Sequence, residues 1–199
     1  MTADWAIKLF VKAIHDYHLL DKLDSPCPKI STEDYLSQIF FQKAWIDIVQ
    51  WHLEDEIRRE DLPSIHFISL KRRIDLLNQM RTEKVEKIDS VLKDSLQPGE
   101  NLNGSIRTES LGWALDRLSI LQLKIYHMDI ESVRRDSNYN LIKEAKLRLS
   151  KLELQNKNLI DSIDDLIGDL KSGAVKYNIF EQHKLYNDPD TNPALYGVE

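Results

Sequence analysis

The sequence predicts an all-α protein, an elongated antiparallel bundle of five long helices with a short C-terminal helix and a docked irregular tail. Three observations point that way. Apolar residues recur at helical spacing over long stretches. The six glycines and six prolines gather mainly in four places, leaving long uninterrupted segments between them. No run of alternating residues is flanked by hairpin turns, so no sheet is expected. Long helices joined by short loops favour antiparallel neighbours.

The first helix is expected over 3–22, where Trp5, Ile7, Leu9, Phe10, Ala13, Ile14 and Tyr17 form an apolar stripe. Pro26 and Pro28 close that segment. The second helix is placed at 32–60, with Ser31 or Thr32 as N-cap, since a hydroxyl accepts from the unpaired N–H groups of a first turn. The third covers 63–95, with Pro63 in its first turn, where a missing N–H does no harm. The loop "QPGENLNG" (97–104) follows. The fourth helix covers 108–134, with Thr108 as N-cap and Glu109 at the positive end of the helix dipole. The fifth covers 138–171 and stops at Gly173, the residue type that best tolerates a left-handed cap. Its seam of Leu141, Ala145, Leu149, Leu152, Leu159, Ile163, Leu166 and Leu170 suits packing within the bundle or against a second copy. A short sixth helix is expected over 176–185. The domain division is therefore a bundle at 1–185 and an extended tail at 186–199. In the tail, Asp-Pro and Asn-Pro enforce turns or extended backbone. Tyr186, Leu195 and Tyr196 would anchor it over the bundle, either as simple docking or as a lid or partner arm.

Composition narrows the function classes. A chain of 199 residues can bury roughly 70% of its unfolded surface. Lys+Arg is 27 against Asp+Glu 33, a net charge of -6. That argues against a general nucleic-acid or anionic-membrane binder, because both need basic excess. Cys27 is the single cysteine, so no intrachain disulfide can form, which fits a reducing compartment. Lys8, Lys12 and His15 interrupt any signal-peptide core, and no stretch is long and uncharged enough to span a membrane. The expected location is the cytoplasm. Trp5, Trp45, Trp51 and Trp113 read as core aromatics.

The charges carry the functional question. In "ESLGWALDRLSILQLKIYHM" (109–128), Ala114, Leu118, Leu121, Ile125 and Met128 form one apolar face, widened by Trp113, Ile120 and Leu123. Asp116, Lys124 and His127 share that second face, with Glu109 before them, so polar residues lie among apolar ones. An ordinary surface helix keeps its charges on the far side. The second helix sets Asp47, Gln50, Glu54 and Arg58 among Trp45, Ile46, Ile48, Val49 and Trp51. On the third, Arg81 falls on the apolar line of Leu70, Ile74, Leu77, Ile88 and Leu92, with Asp75 beside it. Buried charges are paired or bind something. Two readings stay open, an interhelical salt-bridge network that fixes register and a ligand pocket between helices. In the second, Arg81, Arg117 and Lys124 would contact an anion, with Gln50 and Glu54 beside them. Asp75, Glu109 and Asp116 would orient these donors or hold a metal, and His127 would move a proton near neutral pH. Asp116, His127 and Glu109 are then the catalytic candidates.

Metal chemistry has weaker candidates. The E-x-x-D of "EKID", Glu86 and Asp89, could hold Mg²⁺ through oxygen ligands. It faintly resembles the all-α nucleoside triphosphate pyrophosphatases, although the second helix offers only Asp47, Glu54 and Asp55 in place of a clean E-x-x-E. His15 and His18 have i, i+3 spacing, repeated by His52 and Asp55, but a metal site needs a further ligand from another helix. Serine triads, P-loops and dinucleotide fingerprints are absent.

The blocks "KAWIDIVQWHLEDEIR", "LKRRIDLLNQMRTEKVEKID", "TESLGWALDRLSILQLKIYHM" and "YNDPDTNPALYG" together resemble an uncharacterised bacterial family of unknown function and about this length. The resemblance implies a soluble all-helical protein that often accompanies glycosyltransferases of lipopolysaccharide or other surface-glycan synthesis. It assigns no catalytic residue. The resulting expectation is an accessory protein or enzyme of surface-glycan synthesis that binds a small anionic ligand, a phosphosugar or nucleotide sugar. One alternative is a dimeric interaction module whose buried salt bridges are structural. Another is Mg²⁺-dependent nucleotide hydrolysis.

Overall fold

The computed structural model describes residues 1–31, 34–99, 103–183 and 190–196. They form α1 (Ala3–Leu20), α2 (Tyr35–Glu56), α3 (Ser64–Leu96), α4 (Leu111–Ser132), α5 (Tyr139–Ser172) and the four-residue α6 (Pro193–Tyr196). Among the described residues there is no strand, only an isolated bridge between Ser105 and Val175.

Helix starts follow side-chain chemistry. Thr2 caps α1 by accepting from Trp5 N, and Asn138 caps α5 by accepting from Leu141 N. The cap of α2 is Asp34, which accepts from Leu36 N and Ser37 N. Ser31 lies outside the helix, and Thr32 is not among the described residues. The cap of α4 is Ser110 rather than Thr108, because Ser110 Oγ reaches Trp113 N. Gly173 ends α5 at φ 77°, the left-handed region that costs glycine least.

Long-range contacts give the helix directions. Lys84 meets Gln42 and Arg81 approaches Asp47, so α3 runs opposite to α2. Gln122 bonds Asn156 while Arg107 pairs with Asp169, so α5 runs opposite to α4. The purely antiparallel expectation does not extend to α1, α2 and α4. Trp5 packs on Phe40 and Tyr17 on His52, so α1 and α2 point the same way. Lys43 meets Asp116, and Trp51 stacks on His127, so α4 shares that direction. The reason is the link 21–34. Extended, it can reach about 45 Å, against about 27 Å for the length of α1, so it returns the chain to the other end. Arg73 holds it in passing, through Asp24 at 2.8 Å and Leu23 O at 2.5 Å.

In α2, every residue from 43 to 49 is buried, so this helix lies within the molecule rather than on its surface. Phe40, Phe41, Ile48 and Leu53 pack there with Phe10, Tyr17, Leu115 and Leu118. The seam of α5 turns towards the rest of the chain, with Ala145, Ile163 and Leu170 buried, while Leu141 at its start is half exposed.

The expected sixth helix at 176–185 is not formed over 176–183. Long-range bonds hold that segment open instead. Lys176 N donates to Ser105 O, Tyr177 Oη to Asp89, Trp113 Nε1 to Phe180 O and Gln182 N to Glu86. These replace the i→i−4 ladder that a helix would need. The short C-terminal helix falls later, at 193–196, and half of the anticipated tail, 186–189 and 197–199, lies outside the described residues.

Candidate functional site

Four ionised side chains from three helices meet around Lys43, which is 1% exposed. Lys43 and Asp47 sit one turn apart on α2 and bond at 2.5 Å. From α4, Asp116 accepts from Lys43 Nζ at 2.8 Å through Oδ1, and its backbone carbonyl at 3.3 Å. From α3, Arg81 grips the same Asp116 with two parallel bonds, Nε to Oδ1 at 2.8 Å and Nη2 to Oδ2 at 2.5 Å. Ser119 Oγ donates to Asp47 Oδ2 at 2.7 Å. Lys43 and Arg81 thus balance Asp47 and Asp116. The fork-on-carboxylate geometry fixes the guanidinium plane as well as its distance.

The two acids differ. Burial raises the pKa of Asp47, and neighbouring Asp116 adds to this, against the pull of Lys43 and Arg81. Burial also opposes ionisation of Asp116, but Lys43 and the Arg81 fork outweigh it and hold its pKa below the ordinary carboxylate value. Asp116 is therefore the firm anion, and Asp47 takes up a proton first. Asp47 Oδ1 is buried without a hydrogen bond, with Arg81 Nε at 3.5 Å.

Arg81 is the outlet of this cluster. Its side chain is 25% exposed, whereas those of Asp47 and Asp116 are 1% and 5% exposed. It lines a cleft of about 590 Å³ with Asp116, Arg117, Ile120, Leu121 and Lys124 of α4 and Gln155, Asn158, Leu159 and Ser162 of α5. It also lines a smaller cleft of about 220 Å³ with Asp47, Gln50, Trp51, Glu54, Asp55, Arg58 and Ile120. Arg81 and Ile120 belong to both, so the clefts adjoin. One side is cationic and the other rich in carboxylate and amide oxygens.

Residues 37–179 match the model of DUF4254, a protein of unknown function. The chain belongs to the DUF4254 family. No curated protein and no solved structure matches it. The matched span runs from α2 to α5 and contains the whole buried cluster and both clefts, while α1 precedes it.

In this DUF4254 chain, Arg81, Asp116, Arg117 and Lys124 converge on the larger cleft, and Gln50 and Glu54 on the smaller. Only Asp116 of the α4 charges is buried. Arg117 and Lys124 reach outwards into the cleft, Arg117 bonding Glu109 at 2.7 Å, and Lys124 has no ion pair among the described residues. Glu109 holds Arg117 from just before the helix and lines neither cleft. Asp75 is away from both, paired with Lys71 on the surface. Asp89 anchors a helix start, since its buried carboxylate accepts from Ser110 Oγ, Gly112 N at 2.7 Å and Tyr177 Oη at 3.1 Å. With Glu86 turned to Gln182 N, that pair is engaged by the chain itself.

The histidine spacings resolve differently from expectation. His15 is 71% exposed beside Asp16. His18 instead meets His52 and His127, so α1, α2 and α4 each bring one imidazole to one place. His52 Nε2 lies 3.2 Å from His18 Nε2. Tyr17 stacks on His52 and Trp51 on His127, with centroids at 5.2 and 5.0 Å. The expected proton transfer at His127 near neutral pH does not suit this setting. Burial, then His52 and His18, push its pKa down to about 4. Burial and His18 lower His52 as well.

Lys43 and Ser119 escaped the sequence reading. The available signal was a lysine four residues before an aspartate inside an apolar run, "KAWID".

Proposed function

We propose that this DUF4254 protein binds a small phosphorylated sugar, a phosphosugar or nucleotide sugar, across the two adjoining clefts. The phosphate lies against Arg81, Arg117 and Lys124. The sugar hydroxyls face Gln50 and Glu54. The observation that carries this reading is the Arg81 fork. Two of its nitrogens are committed to Asp116, while Nη1 makes no hydrogen bond to the described residues. A guanidinium fixed in this way is a preorganised anion donor, because its side-chain entropy is already lost before a ligand arrives. Lys124, without an ion pair among the described residues, adds a second positive charge to the same cleft. Carboxylate and amide groups in the smaller cleft supply acceptors for hydroxyls, and Trp51 an apolar wall.

A role in surface-glycan synthesis, as accessory protein or enzyme, is what the sequence resemblance implies and is part of the same proposal. The single cysteine supports the bacterial cytoplasm as its compartment. No helix is long and apolar enough to cross a membrane among the described residues.

The test is calorimetric titration with sugar phosphates, nucleotide sugars and the matching neutral sugars. The phosphorylated compounds bind and the neutral ones do not. The double variant Arg117→Ala, Lys124→Ala weakens binding at least about tenfold, which corresponds to roughly 1.4 kcal/mol. Equal binding by that variant, or no binding by any phosphorylated sugar, overturns the reading.

A second reading has its own observation. Leu147 and Leu154, two turns apart on α5, are 57% and 61% exposed. They supply an apolar pair for self-association, the interaction-module alternative. Light scattering that shows a strict monomer at high concentration removes it.

A further inference from the structure

Beyond the clefts, the meeting of His18, His52 and His127 has the chemistry of a metal centre. One ligating nitrogen from each lies within 4.8 Å of the others. The ring centroids form a nearly equilateral triangle, 5.2, 5.3 and 5.4 Å apart. Two tetrahedral Zn–N bonds of about 2.0–2.1 Å place their nitrogens about 3.3 Å apart, and His18 Nε2 and His52 Nε2 are already at 3.2 Å.

The protonation pattern is set by surrounding atoms. His18 Nδ1 lies 2.7 Å from the carbonyl of Ile14, which can only accept, so Nδ1 carries the hydrogen and Nε2 presents a lone pair. That is the outer-shell bond that orients metal-ligating histidines. His127 Nε2 is buried with no hydrogen-bond partner. A buried imidazole nitrogen left unpaired carries a desolvation cost that a metal would relieve. Stacking by Tyr17 and Trp51 limits ring rotation.

We infer that His18, His52 and His127 form a three-histidine site for a divalent transition-metal ion of the zinc class, with its fourth position open to water. The half-buried rings leave solvent access for that water. Three imidazoles select Zn²⁺, Co²⁺ or Cu²⁺ over Mg²⁺, which prefers oxygen. The ion ties α1 to α2 and α4, and so links the helix outside the family match to those inside it. It does not depend on what the clefts bind.

The test uses the full chain with any affinity tag removed, stripped with chelator and titrated with Co²⁺ and then Zn²⁺. One equivalent of Co²⁺ produces the intense visible bands of a four-coordinate ion, and Zn²⁺ abolishes them. His127→Phe, which keeps a ring against Trp51, and His52→Phe each weaken Co²⁺ binding by at least about a hundredfold, beyond what loss of an outer-shell partner does. His15→Phe, His66→Phe and His183→Phe leave it unchanged. Absence of the bands in the wild-type chain overturns the site whatever the variants do. So does their persistence in His127→Phe and His52→Phe, or their loss in His15→Phe.

Discussion

Lys43→Met tests the buried cluster where it is most exposed to failure. Lys43 donates to Asp47 at 2.5 Å, to the Asp116 carboxylate at 2.8 Å and to its carbonyl at 3.3 Å. Methionine matches the stem but returns none of these. Asp47 and Asp116 are then left with Arg81 alone, already gripped by Asp116 and 3.5 Å from Asp47. Removing one partner from a buried ionic group costs about 3–5 kcal/mol, a large share of the roughly 5–15 kcal/mol that holds an ordinary domain together. In a chain of this size that lowers Tm by about 10 °C. Lys43→Met with Asp47→Leu removes one charge of each sign and returns most of the loss, leaving about 1 kcal/mol for the orphaned Ser119 hydroxyl. Urea unfolding followed by tryptophan fluorescence gives all the values, with Asp47→Leu completing the cycle. The deficit of Lys43→Met also shrinks as pH falls, because Asp47 is already biased towards protonation and loses the nearer of its two cations. A Lys43→Met chain within about 1 kcal/mol of wild type, below the range for a broken buried pair, would mean that Lys43 does not neutralise these carboxylates. A double variant that loses as much as the two singles summed would mean the same.

Further outcomes follow from particular contacts. Gly112→Ala places a Cβ 2.7 Å from Asp89 Cγ, so it destabilises by about 1–3 kcal/mol despite the better helix propensity of alanine; a Tm equal to or above wild type contradicts the close approach. Gly173→Ala forces alanine to φ 77° and costs about 1 kcal/mol by thermal denaturation. Between an ordinary value of 6.5 and a folded value of about 4, His127 takes its proton more readily in the unfolded chain. Its contribution to stability is therefore complete above pH 6.5 and is lost as pH falls towards 4, by about 1–2 kcal/mol once its partial exposure is allowed for. In chelator-treated protein, wild type shows that extra acid loss relative to His127→Phe, and parallel curves would contradict it. Arg117→Ala and Lys124→Ala each change urea stability by no more than about 0.5 kcal/mol, as exposed side chains do.

The helices were legible because each carries an apolar period long enough to average over exceptions, and because Gly173 and the prolines mark the breaks. Caps shifted by two or three residues where several candidates stood together, as at Thr108 and Ser110. What could not be read was direction. A loop such as 21–34 does not declare whether it turns sharply or returns along the helix, and so α1 lying parallel to α2 was hidden. The convergence of Arg81 with Asp116 was suggested by charges standing on apolar lines. Lys43 was overlooked because a lysine beside an aspartate one turn away looks like a solvated surface pair. His15 and His18 stood out as an i, i+3 pair on one helix, and His52 with Asp55 as another, but which member of each turns inwards, and that His127 joins them, depends on helix packing, and sequence spacing alone does not contain it. The segment 176–183 looked helical by composition, yet its hydrogen bonds go to Ser105, Asp89 and Glu86, partners that are far away in sequence.

If the buried cluster holds Arg81 ready for a phosphate, a ligand should find the guanidinium already in place. A crystal structure of the chain with a bound sugar phosphate tests it most directly. The phosphorus should then lie in the cleft between α4 and α5, with phosphate oxygens about 3 Å from Arg81 and Lys124 and the Arg81–Asp116 fork intact. A phosphate bound elsewhere, or one that reaches Arg81 only after the fork has broken, would contradict it.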